Sequence, residues 1–577
     1  MTPLLRVKMV AWLALVLVLA GCTTSHYRNS ADKEVYSAIQ SKTPLVPNMA
    51  TNFTIEQTNL VLLEGLPVVT NVPEFLGPDG ERERGARKVN LGDALNLGVH
   101  SSRSYQSRKE QLYISALNLT LVRHQFAPIF SGNINAQYGG QTAQAVSFEV
   151  DAITGDLIPV YSDNLVERRL TTDSGTVGVS WLLRDIGKLT ADLNATFQRF
   201  ITSGGNPASA LTSVNESSLT ATFTRPLLRN AAYKAQEDSL IQAERQLLYD
   251  LRDFTRYRKD FSVQIATSYY GVLGFRDTAR NNFLNLQSSR KNAERSRALA
   301  QEGRITQSDL GRLEQQELTA ESTWINSVRT YQQALDNFKL QLGLNVGSNL
   351  VLDDQELESL QIRDPHLSVE ESIQVALAAR LDYLTAKDQL ADAERDVGLA
   401  ANFLKPQLDF SSSVTLGSNP AHIGGFQLPD VQRYSWNAGL FFDPGLDRLA
   451  ERNSYRSALI TRNRAARAIE QDEDDIKLQV RQSWRTLDQA KRNYEISEVG
   501  VKIAERRVEE QNLLAELGRA KAQDQVDAQN SLSDSKNQRT QAVVTHTIAR
   551  LQFWDNLGIL YIKDNGRWEQ TQDEKAH

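Results

Sequence analysis

The sequence predicts an α+β membrane protein built by internal tandem duplication, with long coiled-coil helices and an antiparallel transmembrane β-sheet. Three observations predict it. A helical hairpin of unusual length lies near the C-terminus, short segments alternate apolar and polar residues, and the same intervals recur in both halves of the chain.

The hairpin runs from Pro444 to Gly558, and no proline interrupts Asp447 to Gly500. Apolar residues recur at helical spacing, Ile469, Ile476, Val480, Trp484 and Leu487 going out and Val526, Leu532, Val543, Ile548 and Leu551 coming back, with the turn near Gly518. The outward arm is roughly 70 residues, on the order of 100 Å as an α-helix. A stripe this long and narrow is a coiled-coil signature.

With 577 residues and a formal net charge of -6, the chain is mildly acidic, which argues against nucleic acid as a partner. Its seven histidines are scattered, none at metal-ligand spacing. No phosphate-cradling glycine loop or nucleophile elbow appears. Neither an enzyme nor a cofactor is expected.

Residues 1–21 read as a signal peptide. Arg6 and Lys8 precede an apolar run from Met9 to Leu19, which is short for a spanning helix. Leu19-Ala20-Gly21-Cys22 then resembles the bacterial lipobox, with Cys22 as the lipidation site. Residues 22–88 read as an extended tether or surface wrap with weak helix around Asp32 to Gln40, and the run Glu81-Arg82-Glu83-Arg84 as solvated.

The first structural repeat is placed at 89–350 (helix, strands, long helix, turn, helix), followed by a linker at 351–366. The second repeat is placed at 367–562 and a polar tail at 563–577. Helical periodicity begins near Val89 and stops before Pro128; it begins again at Leu367 and stops before Pro406. Leu91 to Pro128 and Val369 to Pro406 are equal intervals. So are Gly303 to Asp309 and Gly518 to Asp524, and Asp309 to Gly343 and Asp524 to Gly558. Recurrence at matched intervals marks a repeat. Ser368 with Glu371 forms a capping box.

The strands carry the second signal. Phe130, Ile134, Ala136 and Tyr138 alternate with Ser131, Asn133, Asn135 and Gln137; Leu189 to Phe197, Leu219 to Phe223, Leu408 to Leu416 and Tyr434 to Phe442 alternate likewise. Spans of about 9–11 residues with this dyad pattern suit a transmembrane β-barrel. An antiparallel sheet with one wet face alternates equally well; the lipobox and the duplicated helices favour the barrel. Pro128 to Pro226 is more than twice as long as Pro406 to Pro444. Copy one therefore holds an additional strand pair and a Gly/Asp/Pro-rich loop from Gly139 to Asp163.

Together these features resemble the outer-membrane efflux protein family, the TolC-like channel-tunnels, in a lipoprotein form. The resemblance rests on the duplicated helix starts at Leu91 and Val369, the strand starts after Pro128 and Pro406, and Arg225-Pro226-Leu227-Leu228 at a strand-to-helix transition. The paired turns from Gly303 to Asp309 and from Gly518 to Asp524 complete it. Two departures are the extra strand pair, which leaves four or six barrel strands per protomer open, and Asp443-Pro444-Gly445 in place of apolar transition residues.

The resemblance implies a homotrimer with one shared β-barrel in outer-membrane lipid and a helical tunnel through the periplasm of a Gram-negative-type bacterium. It implies partners too: a periplasmic adaptor (membrane fusion) protein and an inner-membrane pump. The function it implies is passive conduction in a tripartite efflux or type I secretion system. The rival reading is a periplasmic coiled-coil structural lipoprotein without pore activity. A periplasmic gate is expected at the hairpin tips, where Gly303 and Gly518 permit the turns. Asp524 and Asp527 share a helix face and align with acidic positions that ring the entrance. Asp309, Arg304, Arg519 and Lys521 lie at the same tips, with a salt bridge from Asp309 to the second tip as a candidate latch. Leu310, Leu313, Leu513, Leu514 and Val526 read as helix packing or adaptor docking. Trp181, Tyr434, Trp436, Tyr138 and Phe442 are candidates for interfacial girdles.

Overall fold

The computed structural model describes residues 23–56, 63–150, 157–202, 213–363, 367–419, 427–517, 519 and 521–568. The signal segment, Cys22 and Gly518 lie outside the described residues. The chain divides into two compact units, Met1–Ala116 with Gln246–Gln389 and Ala465–His577, and Leu117–Arg245 with Leu390–Arg464. Each unit draws on both halves of the chain.

The N-terminal segment is more structured than a tether. Helix α1 (Thr24–Lys42) buries Val35, Ala38 and Ile39, a stripe at i, i+3 and i+4. Tyr113 donates to Asp32 at 2.6 Å. Asn48 and Ile562 exchange two hydrogen bonds, both 3.1 Å, tying this segment to the far end of the chain. Strand β1 (Arg87–Val89) pairs in parallel with Leu350–Leu352. The charged run ahead of it is not wholly solvated. Glu83 is buried, because its carboxylate has found Arg276 at 2.5 Å and the Tyr331 hydroxyl at 2.8 Å.

The first repeat then runs α2 (Leu91–Ser101), α3 (Arg103–His124), β2 (Ile129–Val150), β3 (Leu157–Leu183), β4 (Gly187–Thr202), β5 (Ser213–Pro226), α4 (Lys234–Gln301) and α5 (Gln307–Gln341). After β6 (Leu350–Leu352) and one turn of α6 (Gln355–Glu358), the second repeat runs α7 (Val369–Ala379), α8 (Leu381–Phe403), β7 (Gln407–Gly417), β8 (Tyr434–Asp443), α9 (Leu449–Glu516) and α10 (Ala522–Asn556). Equivalent helices match in length. The long pair, α4 and α9, have 68 residues each, and the return pair, α5 and α10, have 35 each. The capping box of Ser368 and Glu371 opens α7.

The helix expected from Val89 to Gln125 is two helices, broken at Ser102, and its counterpart breaks at Arg380; both residues are extended, with ψ of 125° and 121°. The cause is tertiary. Gly343, at the end of α5 with φ of +81°, lies so close to the first break that a Cβ there would sit 2.0 Å from the Ser101 carbonyl oxygen. Gly558, after α10 with φ of +76°, lies against Ala379 and Arg380 in the same way. Each repeat thus rests the Leu-Gly end of its return helix on the break of its own short helix.

In the first unit the second-repeat helices close a core of Ile373, Ala376, Tyr383, Ile476, Val480, Leu487, Ala490, Ala549, Phe553 and Leu557, with Trp484 and Trp554 packed against it. The buried positions of α9 follow alternating steps of three, four and seven, a narrow seam. A second stripe on α9, Ile496, Val499 and Ile503, is exposed.

In the second unit one antiparallel sheet has the strand order β2-β3-β4-β5-β7-β8, so β2 and β8 are its edges. The additional pair is part of this sheet, and the expected loop from Gly139 to Asp163 is mostly strand. Strands β2 and β3 pair out to Val150 and Leu157, with one register shift between Gln144 and Val146. Val146, Phe148 and Val150 alternate with Ser147 and Glu149, a period-two signal that the neighbouring Gly139-Gly140 obscured.

Candidate functional site: the hairpin tips and the open sheet

At the first tip, α4 ends at Gln301 and Gly303 takes φ of +73° with open space where a side chain would be. The Arg304 N–H then reaches the Leu299 carbonyl at 2.8 Å, the long closing bond of a Schellman motif. Thr306 caps α5: its hydroxyl accepts from the Asp309 N–H at 3.1 Å and donates to the Asp309 carboxylate at 2.7 Å. The second tip repeats the closing bond, from the Arg519 N–H to the Leu514 carbonyl at 2.8 Å. It lacks the cap, because Lys521 stands where Thr306 stands and has no side-chain acceptor to offer.

The tips of one chain lie together. Arg312 on α5 donates to Gln523 on α10 at 3.3 Å, Gln523 in turn donates to Asp527 at 3.0 Å, and Gln316 meets Asn530 at 2.7 Å. Asp524 and Asp527 are half-exposed in the first turns of α10, while Arg519 and Lys521 are exposed. Arg304 pairs with Glu302 at 3.6 Å, and the Asp309 carboxylate is engaged by Thr306 rather than by the second tip. Leu313 is buried between helices, whereas Leu513 and Leu517 are exposed; Leu517 was not among the residues singled out in the sequence.

On the sheet, Tyr138, Trp181, Tyr434, Trp436 and Phe442 are all exposed. Ile134 is exposed too, at 88 %, so the apolar face lies largely open among the described residues. The opposite face is small and polar and hydrogen-bonds across strands, Thr176 to Asn194 at 2.8 Å, Thr220 with Thr415 at 3.1 Å and Ser413 to Asn437 at 3.1 Å.

Sequence reasoning missed one titratable cluster. Asp555 stands in the last turn of α10, where the helix dipole opposes an acid; that placement was the available signal. Burial, and then the Asp260 carboxyl beside it, push its carboxyl up to about 8, against the opposing pull of Lys259 and Arg256. A folded-state value above the unfolded one means the folded chain holds the extra proton. Stability is therefore full below the ordinary carboxylate range and is lost as pH rises through about 8. Asp555→Asn is expected to flatten this dependence and raise Tm at pH 9 by roughly 3 °C, with no gain at pH 4. Parallel pH profiles of the helical circular-dichroism melt in wild type and variant would refute the assignment.

Among the described residues no cluster of His, Cys, Asp or Glu is able to hold a metal ion, and no helix is long and apolar enough to cross a membrane. No protein-family model and no curated protein matches the sequence. The fold does match solved structures. The Campylobacter jejuni CmeC outer membrane channel is 11% identical over 92% of this chain and 97% of its own, with a TM-score of 0.58. The outer-membrane channel OprN is 12% identical over 89% and 99%, with a TM-score of 0.57. The open state of the Neisseria gonorrhoeae MtrE outer membrane channel is 13% identical over 83% and 90%, also at 0.57. The chain has the fold of these channels over most of its length.

Proposed function

We propose that this chain is one protomer of an outer-membrane channel that conducts substrates passively from a pump and adaptor, in a tripartite efflux or type I secretion system. The observation that carries the reading is the open sheet. Its apolar face is exposed and, among the described residues, its edge strands β2 and β8 each pair on one side alone. Unpaired strand edges are not stable in lipid. Copies arranged about an axis remove them, each β8 meeting the next β2. The exposed stripes on α9 and on α5, where Leu318 and Ile325 lie bare, give the helices matching seams for the same neighbours.

In this reading the assembly is a homotrimer, anchored by lipid on Cys22 and extending into the periplasm. Conduction needs no catalytic group; export energy comes from the partner pump. The tips are the adaptor-facing gate, and the exposed Leu513 and Leu517 give a docking helix apolar anchors. Three copies of Asp524 and Asp527 place six carboxylates near one axis, which attract cations.

Purified protein is expected to run as a heat-modifiable trimer and to give discrete conductance steps in planar bilayers; a monomer without conductance returns the reading to the structural lipoprotein. Within a conducting protein, Asp524→Ala with Asp527→Ala is expected to weaken block by a trivalent cation at least about tenfold, roughly 1.4 kcal/mol, and to raise resting conductance. Unchanged single-channel behaviour would remove the acidic ring.

A further inference from the structure

The additional strand pair changes the size of the barrel. Equivalent proline boundaries match β2 with β7 and β5 with β8, so β3 and β4 are the inserted pair. If they stood outside the wall, β2 would pair with β5. Instead β2 pairs with β3, β3 with β4, and β4 with β5, each antiparallel. The residue rows then run across the whole sheet. One row is Phe130, Val179, Ala191, Ala221, Val414 and Trp436, one residue from each strand and all apolar. The next is Ser131, Gly178, Asp192, Thr220, Thr415 and Ser435, one from each strand with no apolar side chain. Through the rows opposite Ile129 to Tyr138 the inserted strands share the two faces of the others. Strand β4 has 16 residues, more than the 9–11 or so needed to cross a bilayer.

Resting on the channel reading above, we infer that each protomer contributes six strands to the wall, so that three copies close a barrel of 18. Strands about 4.8 Å apart and tilted about 40° make an 18-strand barrel about 36 Å across between backbones, against about 24 Å for 12 strands. Barrels of that strand number leave an aqueous channel. The lumen row is neutral apart from Asp192. The membrane segment is thus a wide, hydrophilic opening, acidic on balance, because Glu216, Asp409 and Asp443 share the face of Asp192, with Lys188 as the one described cation among these rows. It admits bulky polar cargo, and the sieving by size falls to the helical tips.

Single cysteines in the full-length, lipid-embedded trimer test this with a small water-soluble maleimide. Ala191→Cys and Val177→Cys, on the apolar face of the inserted pair, are expected to react at least tenfold more slowly than in detergent-denatured protein. Asn194→Cys, on the polar face of β4, is expected to react readily. Leu440→Cys on β8 is the control for the channel reading. Protected Leu440→Cys with freely reactive Ala191→Cys and Val177→Cys places the inserted pair outside the wall and overturns the inference while leaving the channel intact. Reactive Leu440→Cys overturns the channel reading itself. Projection images of the trimer give a second measure, a ring near 36 Å supporting six strands and one near 24 Å refuting them.

Discussion

Arg276→Met is expected to destabilise the helical unit by about 3–5 kcal/mol, the cost of stripping one partner from a buried ion pair. The guanidinium of Arg276 lies on Glu83 at 2.5 Å and the Tyr331 hydroxyl at 2.7 Å, with Asp354 at 2.9 Å. The Phe75 ring lies 5.3 Å from its centre. Both Arg276 and Glu83 are buried, so removing the cation leaves a carboxylate with neither water nor counter-charge. The network also fastens the N-terminal segment to α4 and α5, assisted by Trp324, whose indole N–H donates to the Phe75 carbonyl at 2.7 Å. Loss of the pair should therefore show first as protease cleavage within residues 63–89, and then as a lower Tm. Replacing both partners, Arg276→Met with Glu83→Gln, should recover a substantial part of the loss, because no charge is then stranded. A double variant no better than the single one would contradict this account.

Three glycines that follow the ends of α4, α5 and α10 should give a graded series when changed to alanine. All have positive φ, +81° at Gly343, +76° at Gly558 and +73° at Gly303, so each substitution incurs the left-handed cost of about 1–2 kcal/mol. They differ in what the new methyl meets. At Gly303 it meets nothing within 4 Å; at Gly558 its contacts are 3.2–3.3 Å, tight but short of a clash; at Gly343 it would lie 2.0 Å from Ser101 oxygen and 2.5 Å from its carbonyl carbon. At Gly558 the Ala379–Arg380 backbone must give slightly, whereas at Gly343 the Ser101 backbone must be pushed aside. The expected order of destabilisation is Gly343, Gly558, Gly303, with Gly343→Ala on the order of 3 kcal/mol or more. Melts of the three variants followed by helical circular dichroism check it, and equal shifts would mean that the break at Ser102 is not held by the approach of Gly343.

What the sequence made legible was whatever depends on neighbours along the chain. The 3.6-residue and two-residue periods, the capping box at Ser368 and the matched intervals all lie within local reach, and the helices and sheet follow them. What it hid depends on distant residues. Glu83 sits in a run of charges that reads as solvated, and its partner Arg276 is 193 positions away. The breaks at Ser102 and Arg380 carry no proline or glycine of their own; they are imposed by Gly343 and Gly558. The Gly139-Gly140 pair reads as a turn, yet pairing with Leu170 and Arg169 keeps β2 extended through it. Of the tip residues, spacing pointed to the first turn, where Gly303 takes positive φ, but not to the Thr306 hydroxyl on the Asp309 carboxylate.

The seam between β5 and β7 has a consequence for synthesis. Strands β2 to β5 are joined in succession, so a chain emerging N-terminus first is able to zip them by short-range closures. Across the seam, Thr220 meets Thr415, 195 positions later. Two long helices must pass before the fifth strand arrives, and until then the oily four-stranded intermediate is bare along both β2 and β5, where an escort that shields it in transit would have most to do.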